Sequence, residues 1–329
     1  MNRSWKSALA GFIKNNPIIL IFTLLFVVDG LVFPSFFTSE SISNLFRATS
    51  SSGIIAIGMT FVIICSDIDL SVGAVLALSG VIFAKLINVS FPLACAASLL
   101  AGIFCGLITG LLTVKAKLPP FISSLSTQYA IRGIVYIVTN QKAIKVREAP
   151  EIFNFLGNGN IFGAIPVPAA IFVLLGISAA FILARTTFGR SVYATGSSTE
   201  AATMMGVRTP RVRIAAFVIS GAMSALAGMI TTSRLSAAQA VAGQDIEMTV
   251  IASIVLGGVL LRGGVGKMYN VMFGALFIRL LIITFNNIPA ISTYWQTVIT
   301  GLCLLAVVVS QNCMMSRKRL KKTVGGAAG

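Results

Sequence analysis

Ten apolar runs, separated by short polar loops, recur along this chain and leave few folds open to it. They fall at 17–37, 53–64, 71–87, 92–114, 121–138, 167–184, 214–232, 248–261, 268–285 and 294–310. Most approach the ~20 residues that carry a helix across the hydrocarbon of a bilayer, whereas 53–64 and 248–261 are too short for a full crossing. Composition agrees: 56% of residues are hydrophobic and 10% are charged, against roughly 25% charged in soluble domains. The expectation is an all-α, polytopic membrane protein with about ten transmembrane helices, two of them short or broken. The first run follows Arg3, Lys6 and Lys14 in the layout of a secretory signal. It is too long for one, and no small-x-small cleavage site follows it, so it reads as the first membrane helix.

The net charge of +16 would suggest nucleic acid in a soluble chain. Here the cations sit in loops between spans, where they set topology, and no nucleic acid partner is expected. With the N-terminus in the cytoplasm, seventeen lysines and arginines fall inside, including Lys115, Lys117, Arg185, Arg190, Arg208, Arg211, Arg213, Arg262, Lys267 and the tail Arg317–Lys322. Six fall outside, namely Arg47, Lys85, Lys142, Lys145, Arg147 and Arg234, while Arg132 and Arg279 lie within spans. Both termini are therefore expected in the cytoplasm, with a cytosolic loop at about 185–213 and an external one at about 139–166. The chain is expected to be one transmembrane domain over 1–329, since no loop is long and polar enough to hold a soluble domain.

Several chemistries are excluded. The chain has no histidine, so a Ser-His-Asp triad and a histidine metal site are ruled out, and neither catalytic nor metal-ligating residues are expected. The five cysteines lie in or beside apolar runs without a CxxC pair and read as small hydrophobes. Gly263-Gly-Val-Gly-Lys267 is the nearest approach to a phosphate-binding loop, but Leu261 and Met268 stand where a Walker A motif needs glycine and a hydroxyl residue. No cofactor is expected on this chain, and ATP, if used, is bound elsewhere.

The most basic of the polar interruptions runs from Ala184 to Arg213. Within it Ser197, Ser198 or Thr199 can cap a short helix with Glu200 in its first turn, closed by Gly206 and Pro210, a shape suited to docking a soluble partner. A second polar stretch, Asp67-Ile-Asp69-Leu-Ser71-Val-Gly73, follows Gly58-Met-Thr60. Two carboxylates this close to membrane depth need partners or water. Asp69 and Ser71 either cap the helix beginning near Val72 or line a polar cavity at a broken helix. Ile254-Val-Leu-Gly257-Gly258, leading to Gly263 and Gly266, is a comparable break in the second half. Gln244, Asp245 and Glu247 are expected at its external end, either as a solvated loop or as the mouth of a pathway. Gln128 and Arg132 are one helical turn apart and face one cavity, with Arg132 directed to substrate or paired to Asp67 or Asp69.

These residues carry a resemblance. Gly58-Met-Thr60, Asp69-Leu-Ser-Val-Gly73, Pro120-Phe-Ile, Arg132-Gly133, Ser233-Arg-Leu-Ser236, Ala242-Gly243, Glu247, and Ile254–Gly258 with Gly263, Gly264 and Gly266 resemble the permease subunit of ribose-type sugar ABC importers. The resemblance covers 36–309. It implies a permease in the bacterial inner membrane that pairs with a second copy or a sister permease. It further implies cytosolic ATP-binding subunits that use ATP and Mg, and a periplasmic sugar-binding protein. The family's coupling helix falls on Gly196, Ser198, Thr199, Glu200, Ala201, Ala202, Met205, Gly206 and Val207. The expected pathway comprises Asp67, Asp69, Ser71, Gln128, Arg132, Glu247, Gly257 and Gly258. The family often has glycine at Asp67, asparagine at Ser198 and a small residue at Arg262. Ribose leads among substrates. The alternative reading is an ion-coupled secondary transporter of a small polar solute, working through Asp67 and Asp69.

Overall fold

The computed structural model describes residues 16–147 and 149–288, with residues 295, 298, 299, 301, 302, 305 and 309. Most of the expected span at 294–310, together with Arg3, Lys6, Lys14 and the basic tail with Lys318, Lys321 and Lys322, lies outside the described residues. The protein is an all-α polytopic bundle, and among the described residues nine of the ten expected runs fall on helices.

Helix α1 (Pro17–Val32) lies on α12 (Met268–Asn286), joined by Phe22 against Phe273. A carboxylate sits within α1: Asp29 is buried and accepts from Thr284 Oγ1 at 2.6 Å. Helix α2 (Ser39–Ile64) is 26 residues long, not the short span expected at 53–64. Its polar first half stays helical because hydroxyls turn back onto the helix, as Thr49 does to the Leu45 carbonyl at 2.7 Å and Ser50 to Phe46 at 2.6 Å. Its second half, Ile54 through Ile64, is buried on all sides at the centre of the main core. A run hydrophobic all round reads as a span on its own, and here it is the inner end of a longer helix.

Next come α3 (Val72–Leu86), α4 (Phe91–Val114) and α5 (Pro120–Thr139). The expected external loop folds as a small cap. Strand β1 (Ile144–Lys145) precedes α6 (Glu151–Asn158), and β2 (Asn160–Ile161) pairs with β3 (Ile165–Pro166). Helix α7 (Val167–Arg185) runs to the opposite end, where α8 (Thr187–Ser197) and α9 (Thr199–Met204) lie. The 27-residue α10 (Thr209–Leu235) crosses back, and β4 (Ala237–Ala238) pairs antiparallel with β1. Helix α11 (Ile246–Leu256) is a half-length helix. Since α7 and α10 both span, the α6 cap and the α8–α9 pair sit at opposite ends of the bundle. The described cations assigned to inside and outside from the sequence separate accordingly.

Helix α10 is the axis, packed on α2, α3 and α4. Its contact with α4 is a glycine seam, where a Cβ on Gly102 would meet the Gly221 carbonyl, and one on Gly106 or Gly221 would collide with the backbone of the other helix. Backbones approach this closely only where side chains are missing. Gly221→Leu should therefore destabilise the fold by about 3 kcal/mol or more. Gly133→Ala, where a Cβ meets open space, should be silent. Thermal unfolding of the two variants in detergent checks this, and equal midpoints would refute the seam.

Candidate functional site

Helices α3 and α11 are half-spans, and their first turns meet inside the bundle. After α2 the chain turns back: Ser66 takes the left-handed conformation at φ 69°, the Ser66 and Asp67 amides close onto Ile63 and Val62, and 67–70 runs without regular structure to the start of α3. After α10 the chain does the same from the other end, dipping inward through 239–245 to start α11. A Cβ on Gly73, in the first turn of α3, would collide with the Gly243 carbonyl and lie 3.1 Å from Glu247 Oε2. Asp69 accepts from Ser71 through both its amide (3.0 Å) and its hydroxyl (2.6 Å), and from Ser220 at 2.8 Å, near the middle of α10. Asp69 thus holds the entry to α3, which favours the capping reading. Ser71 donates to Asp69 instead of capping the helix with its own side chain.

This pairing corrects the expected correspondence. The counterpart of the break at 66–71 is 236–245, upstream of α11, and not the glycine turn at 257–266. The apolar run before that turn drew attention to the wrong end of the half-helix. Asp245 and Glu247 also differ from a solvated external pair. Glu247 is 5% exposed and accepts from Gln128 Nε2 at 3.0 Å, whereas Asp245 is exposed. Gln128 and Arg132 do face one region, as their spacing predicts. Arg132 reaches neither Asp67 nor Asp69, and instead donates through Nη1 to the carbonyls of Ala240 (2.8 Å) and Ala242 (2.9 Å). A guanidinium with several fixed donors can hold the carbonyls of an inward-dipping loop that has no helix to satisfy them. Glu247 Oε2 and Arg132 Nη2 are buried without a partner among the described residues.

Asp67 lies at the other end of its segment. Arg213, in the second turn of α10, grips it with two hydrogen bonds of 2.7 Å, through Nε and Nη2. This is the one ion pair among the described residues.

The short basic-loop helix is present as α9. Ser198 is its cap, accepting from the Ala201 amide at 3.2 Å, and Gly206 closes it at φ 83° with Val207 N bonded to the Ala202 carbonyl. Pro210 does not close it; it stands in the first turn of α10. Of the residues expected at the coupling surface, Ser198, Thr199, Glu200, Ala201, Met205 and Gly206 are exposed, Val207 is half-buried, and Ala202 and Gly196 are buried. Met204 and Met205, 89% and 73% exposed, project from it.

Gly196 has a different place from the rest. A Cβ there would collide with the Ile64 carbonyl, and the neighbouring bonds tie α8 at once to the turn before α3 and to the glycine turn after α11. Ser66 Oγ donates to the Gly196 carbonyl (3.0 Å) and to the Arg262 carbonyl (2.6 Å). Gly264 N donates to the Ile64 carbonyl (2.9 Å), and Tyr193 Oη to the Gly266 carbonyl (2.8 Å). Sequence reasoning missed α8 and this joint, because contacts between residues 73 to 200 positions apart leave no periodic trace. Gly257 and Gly258 belong to this end: they cap α11 and line a 400 Å³ cavity with Tyr193 and Lys267, away from Gln128 and Glu247.

A cleft of 750 Å³ lies between α2, α10, α11 and α12 towards the α6 end. Its polar lining includes Ser52, Thr231, Arg234, Gln244, Asp245, Thr249 and Arg279. Gln244 and Asp245, expected at the mouth of a pathway, line it, whereas Asp67, Asp69, Ser71, Gln128, Arg132, Glu247, Gly257 and Gly258 do not. The available signals were the serine cluster at 50–52 and an arginine, Arg279, inside an apolar run.

Two half-helices starting at mid-depth amid full-length spans, with a polar cleft beside them, define a membrane permease. Residues 41–308 match the family model described as branched-chain amino acid transport system/permease component, and the chain belongs to that family. It is 38% identical over 299 residues to the ribose import permease protein RbsC of Haemophilus influenzae, covering 90% of this chain and 92% of that one. It is 39% identical to RbsC of Bacillus subtilis, covering 90% and 92%. To the L-arabinose transport system permease protein AraH of Escherichia coli it is 38% identical, covering 92% and 91%. No solved structure matches the chain.

Breaking the Asp67–Arg213 pair from one side should cost more than removing it whole, because a lone buried charge keeps its desolvation penalty. Arg213→Met should destabilise by about 3 kcal/mol, and Asp67→Leu combined with Arg213→Met by less. Thermal unfolding of the single and double variants decides it; a double variant worse than Arg213→Met would refute the pairing as described.

Proposed function

We propose that this chain is the membrane-spanning permease of an ATP-driven importer, and that it forms the translocation pathway for a monosaccharide delivered by a periplasmic binding protein. The observation that carries the reading is the joint at Gly196. It links an exposed, capped helix of the kind a soluble motor can grip to the turn that precedes α3 and the glycine turn that follows α11. The sugar specificities in the names of RbsC and AraH support a monosaccharide as the solute.

In this reading the α9 end is cytosolic, both termini are cytoplasmic, and the α6 cap faces the periplasm of a bacterial inner membrane, in accord with the excess of cations at the α9 end. The chain is a single transmembrane domain and binds no cofactor itself. Cytosolic ATP-binding subunits bind ATP and Mg and dock on Ser198–Val207, while a second permease copy or sister chain completes the pathway. When those subunits close they push on α9. Gly196, Ser66 and Gly264 leave no slack between α8 and the turns at 64–66 and 262–266, so the displacement passes into the segments that carry α3 and α11. Their first turns, held by Asp69, Gln128 and Glu247, form the gate at mid-depth.

Ion coupling through Asp67 and Asp69 is disfavoured, because Arg213 occupies one and Ser71 with Ser220 the other.

The reading is tested by purifying the tagged chain in mild detergent and identifying its stoichiometric partners by mass spectrometry. A Walker A-bearing partner is expected, and a partner-free chain whose uptake follows an ion gradient would overturn the proposal. Within this frame Glu200→Lys reverses the charge at the exposed first turn of α9. It should lower uptake at least tenfold while leaving the protein inserted and its unfolding midpoint unchanged. Uptake at the normal rate would remove α9 from the coupling role.

A further inference from the structure

The cleft on the α6 side carries more positive charge than a site for a neutral sugar requires. Arg234 and Arg279 both line its 750 Å³, with Asp245 the one carboxylate among the lining residues. An adjoining 460 Å³ cavity shares Arg234 and Arg279 and adds Arg47. All three arginines are partly buried, and none forms an ion pair among the described residues. Arg47 uses one nitrogen on the Asn158 carbonyl (2.9 Å) and Asn160 Oδ1 (2.6 Å), and Arg234 donates weakly to the Arg47 carbonyl at 3.4 Å. Arg279 donates no hydrogen bond among the described residues, and its Nε is buried without a partner, as is that of Arg47.

Asp245 is the one carboxylate among the described residues that line either cavity, and no aspartate or glutamate follows Glu247 in the sequence. Arg279 stands inside α12, about 10 Å short of its α6-side end at 1.5 Å per residue. Cations at such depth are costly and mark the path of a ligand or ion. Two guanidiniums sharing one cleft also repel each other, so an anion between them is worth more than either arginine alone. The start of α11 opens on the same cleft through Asp245 and Ile246, and its first-turn amides add to the positive potential. The volume suits a small solute, and Ser52, Thr231, Gln244 and Thr249 provide donors and acceptors for hydroxyls.

We infer that this cleft binds an anionic sugar derivative, a polyhydroxylated molecule bearing a carboxylate or phosphate, with Arg279 and Arg234 as the groups that take its charge. Planar guanidinium forks match both anions with paired hydrogen bonds, which a neutral sugar cannot use. The inference rests on the permease reading above and narrows its solute class.

The test uses the full chain in detergent, titrated calorimetrically at constant ionic strength with D-gluconate, D-ribose 5-phosphate, D-ribose and inorganic phosphate. Saturable binding of gluconate or of ribose 5-phosphate is expected, at least tenfold tighter than that of ribose and of inorganic phosphate; which acid binds tells carboxylate from phosphate. Arg279→Gln should weaken it at least tenfold, and Arg279→Lys, which keeps a cation in place, should recover part of the loss. Equal binding of ribose and the acids, binding of phosphate as tight as that of the sugar acids, no saturable binding of either acid, or affinity unchanged in Arg279→Gln would each overturn the inference. Co-purification of an ATPase is a separate readout, so the transporter class can stand while this solute class fails.

Discussion

A helix that stops inside a bilayer leaves amides and carbonyls with no water to bond, and this chain stops two of them there. Each unpaired group costs several kcal/mol in hydrocarbon, so the segments at 65–71 and 236–245 persist only because named partners satisfy them. Asp69 takes the Ser71 amide, and Arg132 takes the Ala240 and Ala242 carbonyls. At the α9 end the Ile64 carbonyl receives the Gly264 amide. The long helices α2 and α10, the glycine seam with α4 and the buried core serve to hold these partners in register.

The same bonds that make the breaks tolerable also make them responsive. Ser66 sits in a left-handed turn that favours glycine or asparagine, and its hydroxyl ties the Gly196 and Arg262 carbonyls together. A displacement of α8 therefore reaches the turn before α3 and the turn after α11 through one residue. Asp67, locked by Arg213, fixes the first of these segments to the base of α10. Rigid spans joined at a few well-satisfied turns favour discrete rearrangements over continuous bending, which is what a gate between two half-helices needs.

Much of this was legible in the chain. Apolar runs marked nine helices that the structure describes, and the residues around Ser198 and Gly206 announced α9, because capping and C-terminal glycine are local interactions with local signatures. The one-turn spacing of Gln128 and Arg132 placed them on a common face. Other features were not legible. The serine-rich opening of α2 reads as loop until its hydroxyls are seen bonded to the preceding turn, and the half-helix start at Asp245 reads as an external end until Glu247 is found buried against Gln128. The cleft brings α2 against α10, α11 and α12, with seven helices between them in the chain, so no window of residues contains it.

Hydrophobic length and charge bias by themselves determined that the chain is a polytopic helical membrane protein, how many runs it has, and which loop carries the short exposed helix. These are properties of segments, decided by the transfer of contiguous side chains and backbone into lipid. The tertiary structure alone decided that the first turns of α3 and α11 meet, that Asp67 belongs to Arg213 and Arg132 to the 240–242 carbonyls, and that three arginines gather around two adjoining cavities. Partner choice among buried polar groups depends on which helices pack side by side, and packing is a property of the whole fold.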